Sequence, residues 1–258
     1  MTISRKINKF GFEYDTADAK EYFDPDYKYC SLLWSHISNE PGGTVRTCCI
    51  AKDRIKDKHG NDFNLGEHSM LEILSSETMT NMRNRIRAGE DIPNCETCWI
   101  DEGNGKESKR QQYNNYYKEW YGDDCINYAE EPHRLIDVQL IFDNTCNLKC
   151  RSCGGVYSST WAQEDAEHGS NVTNITGKIS STTVGNDPLE KQYENVEKIY
   201  FAGGEPLIMP EHFTTLRKLI ESGRSKHVKL VYNTNIRNKR LLATVQRDMN
   251  CNGSRAKF

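Results

Sequence analysis

Three apolar stretches stand out as strands: Leu135 to Phe142, Val196 to Ala202, and residues 228–232. Text at helical spacing follows the first two. The first helix is predicted from about Val156 to His168. The second opens at Pro210, places Phe213, Leu216 and Ile220 on one face, and stops at Gly223. Leu241 to Val245 reads as the continuation of a third, while the tail from Arg247 shows neither period. Repeated strand–helix units predict a parallel sheet with right-handed crossovers. Upstream, Ser69-Met-Leu-Glu72 is a capping-box pattern, Met79, Met82 and Ile86 follow at helical spacing, and Gly89 closes the helix. Lys106 to Trp120 reads as a tyrosine-rich polar helix whose aromatics pack rather than bind. Residues 1–26 form a polar and aromatic arm, and 169–188, rich in Ser, Thr, Asn and Gly, a flexible loop.

The 258 residues leave room for one large domain or two small ones. A net charge of −3 gives no electrostatic case for nucleic acid or a membrane surface. Mean hydropathy is −0.79, and no apolar run approaches the roughly 18 residues of a membrane span. The start, Met-Thr-Ile-Ser-Arg-Lys, lacks the apolar core of a signal peptide. Ten closely spaced cysteines in such a chain point to metal in a reducing cytoplasm rather than to disulfides.

The cysteines carry the chemistry. Directly after the first strand comes Cys146-Asn-Leu-Lys-Cys150-Arg-Ser-Cys153, a C-x3-C-x2-C run. Three thiolates on one short loop hold three irons of a four-iron cluster and leave the fourth open to a small molecule. Zinc is the alternative, but it prefers four tetrahedral ligands, and no clear fourth lies nearby. The second strand runs into Gly203-Gly204-Glu205-Pro206. There the glycines permit close backbone approach and Glu205 offers a carboxylate to an ammonium group. The third ends at Asn233-Thr234-Asn235, either a ligand-facing turn or an ordinary asparagine-rich one. All three elements fall at C-terminal strand ends, where barrels of this kind place their chemistry.

The pair of motifs resembles the radical S-adenosylmethionine (SAM) superfamily. The resemblance implies that Cys146, Cys150 and Cys153 bind a [4Fe-4S] cluster whose open iron chelates SAM. It implies SAM contacts at Gly203, Gly204, Glu205 and Pro206, and at Asn233, Thr234 and Asn235. The residue before the third cysteine, often aromatic in that family, is Ser152 here. Upstream, Cys30, the G-x4-C element ending at Cys48, and Cys95-Glu-Thr-Cys98 resemble the twitch module, a shorter relative of SPASM. That module carries an auxiliary iron–sulfur cluster. Leu65-Gly66, Arg83, Arg87, Glu102-Gly103, Ser108 and Arg110 fit the same pattern. Cys49 is an alternate to Cys48, and a four-thiolate zinc site is the alternative for the set.

The implied architecture is an α/β chain. An arm (1–26), a small cysteine-rich α+β twitch-like module (27–104) and a connecting helix (105–134) precede the radical SAM core (135–258). Only about three βα units of the family's (β/α) partial TIM barrel fit there, so the core is expected to be incomplete. The implied activity is reductive cleavage of SAM to a 5′-deoxyadenosyl radical that takes hydrogen from a peptide or small-molecule substrate. The implied electron donor is of the flavodoxin or ferredoxin kind. The competing expectation is a catalytically silent protein holding zinc or a single cluster. SAM-dependent formation of 5′-deoxyadenosine separates the two.

Overall fold

The computed structural model describes residues 28–122, 134–170 and 192–235 with their side chains, and short strand pairings at 4–7, 13–16, 183–184, 187–188 and 255–256. In chain order the strands are β1 (Ser4–Ile7), β2 (Glu13–Thr16), β3 (His36–Asn39), β4 (Val45–Arg46), β5 (Asp137–Leu140), β6 (Thr183–Val184), β7 (Asp187–Pro188), β8 (Lys198–Phe201), β9 (Lys229–Tyr232) and β10 (Arg255–Ala256). The helices are α1 (Leu32–Ser35), α2 (Met70–Leu74), α3 (Glu77–Arg87), α4 (Glu96–Gly103), α5 (Lys109–Tyr121), α6 (Ser159–Glu167) and α7 (Pro210–Glu221). The expected third helix at Leu241 to Val245 lies outside the described residues.

Six strands form one mixed α/β sheet in the order β10-β9-β8-β5-β3-β4. Every neighbouring pair is parallel except β3 with β4. Two of these strands come from the cysteine-rich leading segment. β3 pairs with β5, so β5 is an interior strand rather than the exposed edge that a three-strand unit would leave. The tail that shows no period supplies β10, paired with β9. Within 169–188, β6 and β7 make a small antiparallel pairing.

Register explains the sheet's two faces. One face carries Ile37, Val138, Ile199 and Leu230, side by side in the ladder and fully buried in the core with Met70, Ile73, Met79 and Leu219. Each such side chain contributes about 1.5–3 kcal/mol. The other face is polar. His36, Asp137, Lys198 and Lys229 align in one row, and Ser38, Gln139 and Tyr200 in the next. A parallel sheet packed by apolar layers on both faces reads as unbroken hydrophobic runs. Here the strands alternate, because one face is lined with hydrogen-bonding groups instead.

The polar row closes its own charges. Asp137 pairs with Lys198 and, at 3.1 Å, with His36 Nδ1. Burial alone would raise the Asp137 carboxyl; Lys198 and His36 overcome it and hold it at about 2. His36 is thus a buried partner of Asp137, where a surface or capping role is the ordinary expectation for a lone histidine. Helix α5 covers the row. Tyr113 OH accepts from Lys198 Nζ at 3.0 Å and Tyr116 OH from Lys229 Nζ at 3.1 Å. The Lys229 ammonium also lies 4.7 Å from the Trp120 ring centroid. Each such contact is worth about 0.5–2 kcal/mol. Where the sequence predicts a helix from Lys106 to Trp120, the structure has Lys109–Tyr121 with Ser108 as its cap, and its aromatics do pack, against one another and against Lys198 and Lys229.

The predicted helix from Ser69 to Gly89 is two helices. Ser69 and Glu72 form the capping box of α2, and Ser76 caps α3 separately. Buried Arg83 on α3 donates to the Leu33 and Leu74 carbonyls at 3.1 and 3.0 Å, tying α3 to α1 and α2. Among the described residues no helix is long and apolar enough to cross a membrane.

Two candidate iron–sulfur sites

The loop after β5 is shaped by side chains of α6. Ser158 Oγ and Thr160 Oγ1 both donate to the Leu148 carbonyl, at 2.9 and 2.8 Å. Trp161 Nε1 donates to the Cys150 carbonyl at 2.9 Å, and Ser159 Oγ accepts from the Cys146 amide at 3.1 Å. The loop's conformation thus has support from protein groups alone. Cys150 is exposed, and Cys146 and Cys153 are half-buried. All three thiols line one cleft of about 680 Å³.

The same cleft is lined by Gly203, Gly204, Glu205, Asn233, Thr234 and Asn235. Pro206 is buried behind it at the head of a 3₁₀ turn, Pro206–Ile208. The glycine pair has a packing reason of its own. Gly203 has φ 72°, and a Cβ there would collide with the Ile141 side chain; on Gly204 it would collide with the Thr145 carbonyl oxygen. Both neighbours belong to the segment leading into the cysteine loop, so glycine lets the two strand ends touch.

Glu205 is buried and accepts three hydrogen bonds. Thr234 Oγ1 donates at 2.6 Å, the Asn235 amide at 2.7 Å and the Leu207 amide at 3.1 Å. Asn235 Nδ2 then donates to Asn147 Oδ1 at 2.9 Å, inside the cysteine loop. Glu205 therefore organises the end of β9 while facing the cleft. A further tie comes from Asn39 at the end of β3. Its side chain accepts from Ile141 N at 3.0 Å and donates to Ile141 O at 2.8 Å, continuing the β3–β5 ladder with an amide side chain.

The second site lies in the leading segment. Cys30, Cys48, Cys95 and Cys98, up to 68 positions apart, line one small cavity. Buried Asn94 fastens its walls: Asn94 Oδ1 accepts from Asp53 N at 2.7 Å and the Asn94 carbonyl from Lys52 N at 3.1 Å. Backbone amides donate to the sulfurs, from Leu32 to Cys30, from Ile50 and Ala51 to Cys48, and from Arg110 to Cys98. Burial, with Cys48 and Cys98 adding, pushes the Cys30 thiol up to about 12, and burial pushes Cys48 up to about 11. Cys95 and Cys98 are raised too, chiefly by burial. Buried thiols that disfavour one another's ionisation fit a cationic occupant, and amide N–H···S bonds fit an iron–sulfur cluster.

The structure separates the adjacent pair. Cys48 lines the four-cysteine cavity, whereas Cys49 is exposed and lines the cleft beside the three-cysteine loop. None of the eight described cysteines is in a disulfide. Among the described residues no three His, Cys, Asp or Glu are arranged to hold a single metal ion. A cluster imposes a different condition, since each thiolate binds its own iron. Lys149 beside Cys150 pairs with Glu164, so its charge is internally met. Sequence reasoning missed Asn39, Gln139, Tyr200 and Lys109 as cleft residues. The alternation along β5 and β8 was the available signal for Gln139 and Tyr200, and for Asn39 and Lys109 there was none.

Residues 30–99 match the family model described as SPASM, an iron–sulfur cluster-binding domain. The matched span begins at Cys30 and ends one residue beyond Cys98, so it contains all four cavity cysteines. Such domains are found in radical SAM proteins; no family model of the radical SAM core itself matches. No curated protein and no solved structure matches the chain. Over the matched span, about a quarter of the chain, the sequence is similar to an iron–sulfur cluster-binding domain.

Proposed function

We propose that the protein is a radical SAM enzyme in which Cys146, Cys150 and Cys153 hold the SAM-binding [4Fe-4S] cluster and Cys30, Cys48, Cys95 and Cys98 hold an auxiliary one. One observation carries the reading. The three-cysteine loop, Gly203-Gly204-Glu205 and Asn233-Thr234-Asn235 follow three neighbouring parallel strands, β5, β8 and β9, and line a single cleft at their C-terminal ends. We read those strands as the first units of a partial (β/α) barrel, with the leading segment packed against it through β3.

Cys146, Cys150 and Cys153 would hold the cluster, and the chemistry it would supply is one-electron reductive cleavage of the SAM sulfonium carbon–sulfur bond, which yields methionine and a hydrogen-abstracting 5′-deoxyadenosyl radical. The chain's own contribution is placement. The loop itself presents three thiols, which leaves one ligand position of a four-iron cluster facing the cleft that Cys49 also lines. Glu205 sets a carboxylate at the cleft wall, where an ammonium group would find it. Ser38, Gln139 and Tyr200 give the floor hydrogen-bonding groups for a polar substrate, either a peptide or a small molecule. The electron donor is a carrier of the flavodoxin or ferredoxin kind.

The test is anaerobic reconstitution followed by SAM turnover. About eight irons with sulfide per chain are expected, for two four-iron clusters, and 5′-deoxyadenosine should form on reduction. Cys150→Ala should abolish that product and leave about four irons. Zinc without sulfide would overturn the assignment in favour of a silent metal-binding protein, and unchanged 5′-deoxyadenosine from Cys150→Ala would overturn the placement of the SAM-binding cluster on this loop.

A further inference from the structure

Helix α5 begins at Lys109, beyond the matched iron–sulfur domain, yet its first turn forms part of the four-cysteine cavity. Lys109 and Arg110 both line it. The first amides of a helix have no partner within it. One of them, the Arg110 N–H, donates to the Cys98 sulfur. That turn also holds two cations and no acidic residue, which opposes the positive end of the helix dipole. A helix start loaded with positive charge is favourable only beside something negative.

The two cations are not equivalent. Arg110 is neutralised by Glu102 through two contacts, Nη2 to Oε2 at 2.6 Å and Nε to Oε1 at 2.9 Å. Among the described residues Lys109 meets no carboxylate; its ammonium lies 4.9 Å from the Tyr113 ring centroid. Lys109 is half-buried and lines both the four-cysteine cavity and the cleft, so it stands on the partition between them.

We infer that the first turn of α5, through Lys109 and the Arg110 N–H, raises the reduction potential of a cluster held by Cys30, Cys48, Cys95 and Cys98. The inference rests on reading those four cysteines as a cluster site. A cluster on four thiolates becomes more negative when it takes an electron. A nearby uncompensated cation and an N–H···S bond both stabilise that form, and charge and hydrogen bonding to sulfur are the protein's levers on such potentials. The direction has a consequence: the higher its potential, the more readily the buried site takes an electron than gives one. Lys109 is a tuning residue in this account, and it need not touch substrate.

The experiment uses the full chain carrying Cys146→Ala, Cys150→Ala and Cys153→Ala together, so that one site reports. Iron and sulfide are counted, and the midpoint potential is read by titration with electron paramagnetic resonance. Lys109→Met and Lys109→Gln should each shift the potential downward, and Lys109→Arg should hold it near the parent value. Higher ionic strength should narrow the gap. Equal potentials for Lys109→Met, Lys109→Gln and the parent would overturn the inference alone, because the counted iron would still place a cluster there. A downward shift in Lys109→Arg matching that of Lys109→Met would also overturn it, since packing and not charge would then be responsible. A background chain that holds no iron would remove the reading of the four-cysteine site, and the inference with it.

Discussion

The two cysteine sites are built on opposite plans. The leading site gathers four thiols from distant points of the chain, Cys30 and Cys98 buried and Cys48 and Cys95 half-buried against the core, and burial suppresses their ionisation. The second keeps three thiols on one loop, held by hydrogen bonds from α6 and open to a cleft of about 680 Å³. A site closed by packing makes its occupant part of the fold. A site closed by a short loop leaves the fold intact when empty and has room for a second ligand. The proposed function asks for such a contrast, a permanent redox centre in one place and a reaction centre in the other.

The sharpest way to break this comparison is to remove one thiol from each site. In the iron-loaded protein, Cys98→Ala should cost more than about 4 kcal/mol in denaturant unfolding, the range in which loss of a metal centre falls. Cys150→Ala, at an exposed position, should stay within about 0.5 kcal/mol while losing 5′-deoxyadenosine formation. Similar stability losses at both positions would erase the distinction.

The next effect tests the sheet beneath the cleft. Asp137→Asn leaves Lys198 buried without its carboxylate and should cost about 3–5 kcal/mol. The parent's dependence on acid follows from the depressed carboxyl. Folded Asp137 titrates near 2, below the ordinary value of about 3.9. Its contribution is therefore complete above about pH 4 and is lost as pH falls towards about 2. Asp137→Asn should flatten the stability curve in that window.

A smaller effect probes the tie between the two regions. Asn39→Ala unpairs the N–H and C=O of Ile141 at the root of the cysteine loop and should cost about 1–3 kcal/mol. Hydrogen exchange should then quicken in 141–153 more than around Cys30 and Cys98. Uniform quickening would mean the regions share one cooperative unit. The smallest change expected is Tyr116→Phe, which removes one hydrogen bond to Lys229 but keeps the ring, at about 0.5–1.5 kcal/mol.

Much of the site was legible in the sequence because its signals are local. C-x3-C-x2-C needs only a short loop to bring three sulfurs together, and Gly203-Gly204 announces a close approach whatever approaches. Strands β5, β8 and β9 were visible as apolar stretches. The membership of β3 and β4 in the same sheet was not, because a four-residue and a two-residue strand carry almost no periodic signal. Nor was the row of His36, Asp137, Lys198 and Lys229, which exists only in the observed register; a slip of one residue would turn each side chain to the other face.

The sequence by itself determined the chemistry available: seven thiols in two sets, a carboxylate after a glycine pair, and alternating strand–helix text for a parallel sheet. Only the tertiary structure decided how that chemistry is divided. It turned Cys48 into the buried cavity and left Cys49 in the cleft, although the two are adjacent in the chain. It gave Glu205 to Thr234 and Asn235, and it set the first turn of α5 against Cys98. The reason is physical. Residue type and spacing fix what a group can bind, but which way a side chain faces depends on register and on contacts between segments up to about a hundred residues apart, where local pattern carries no information.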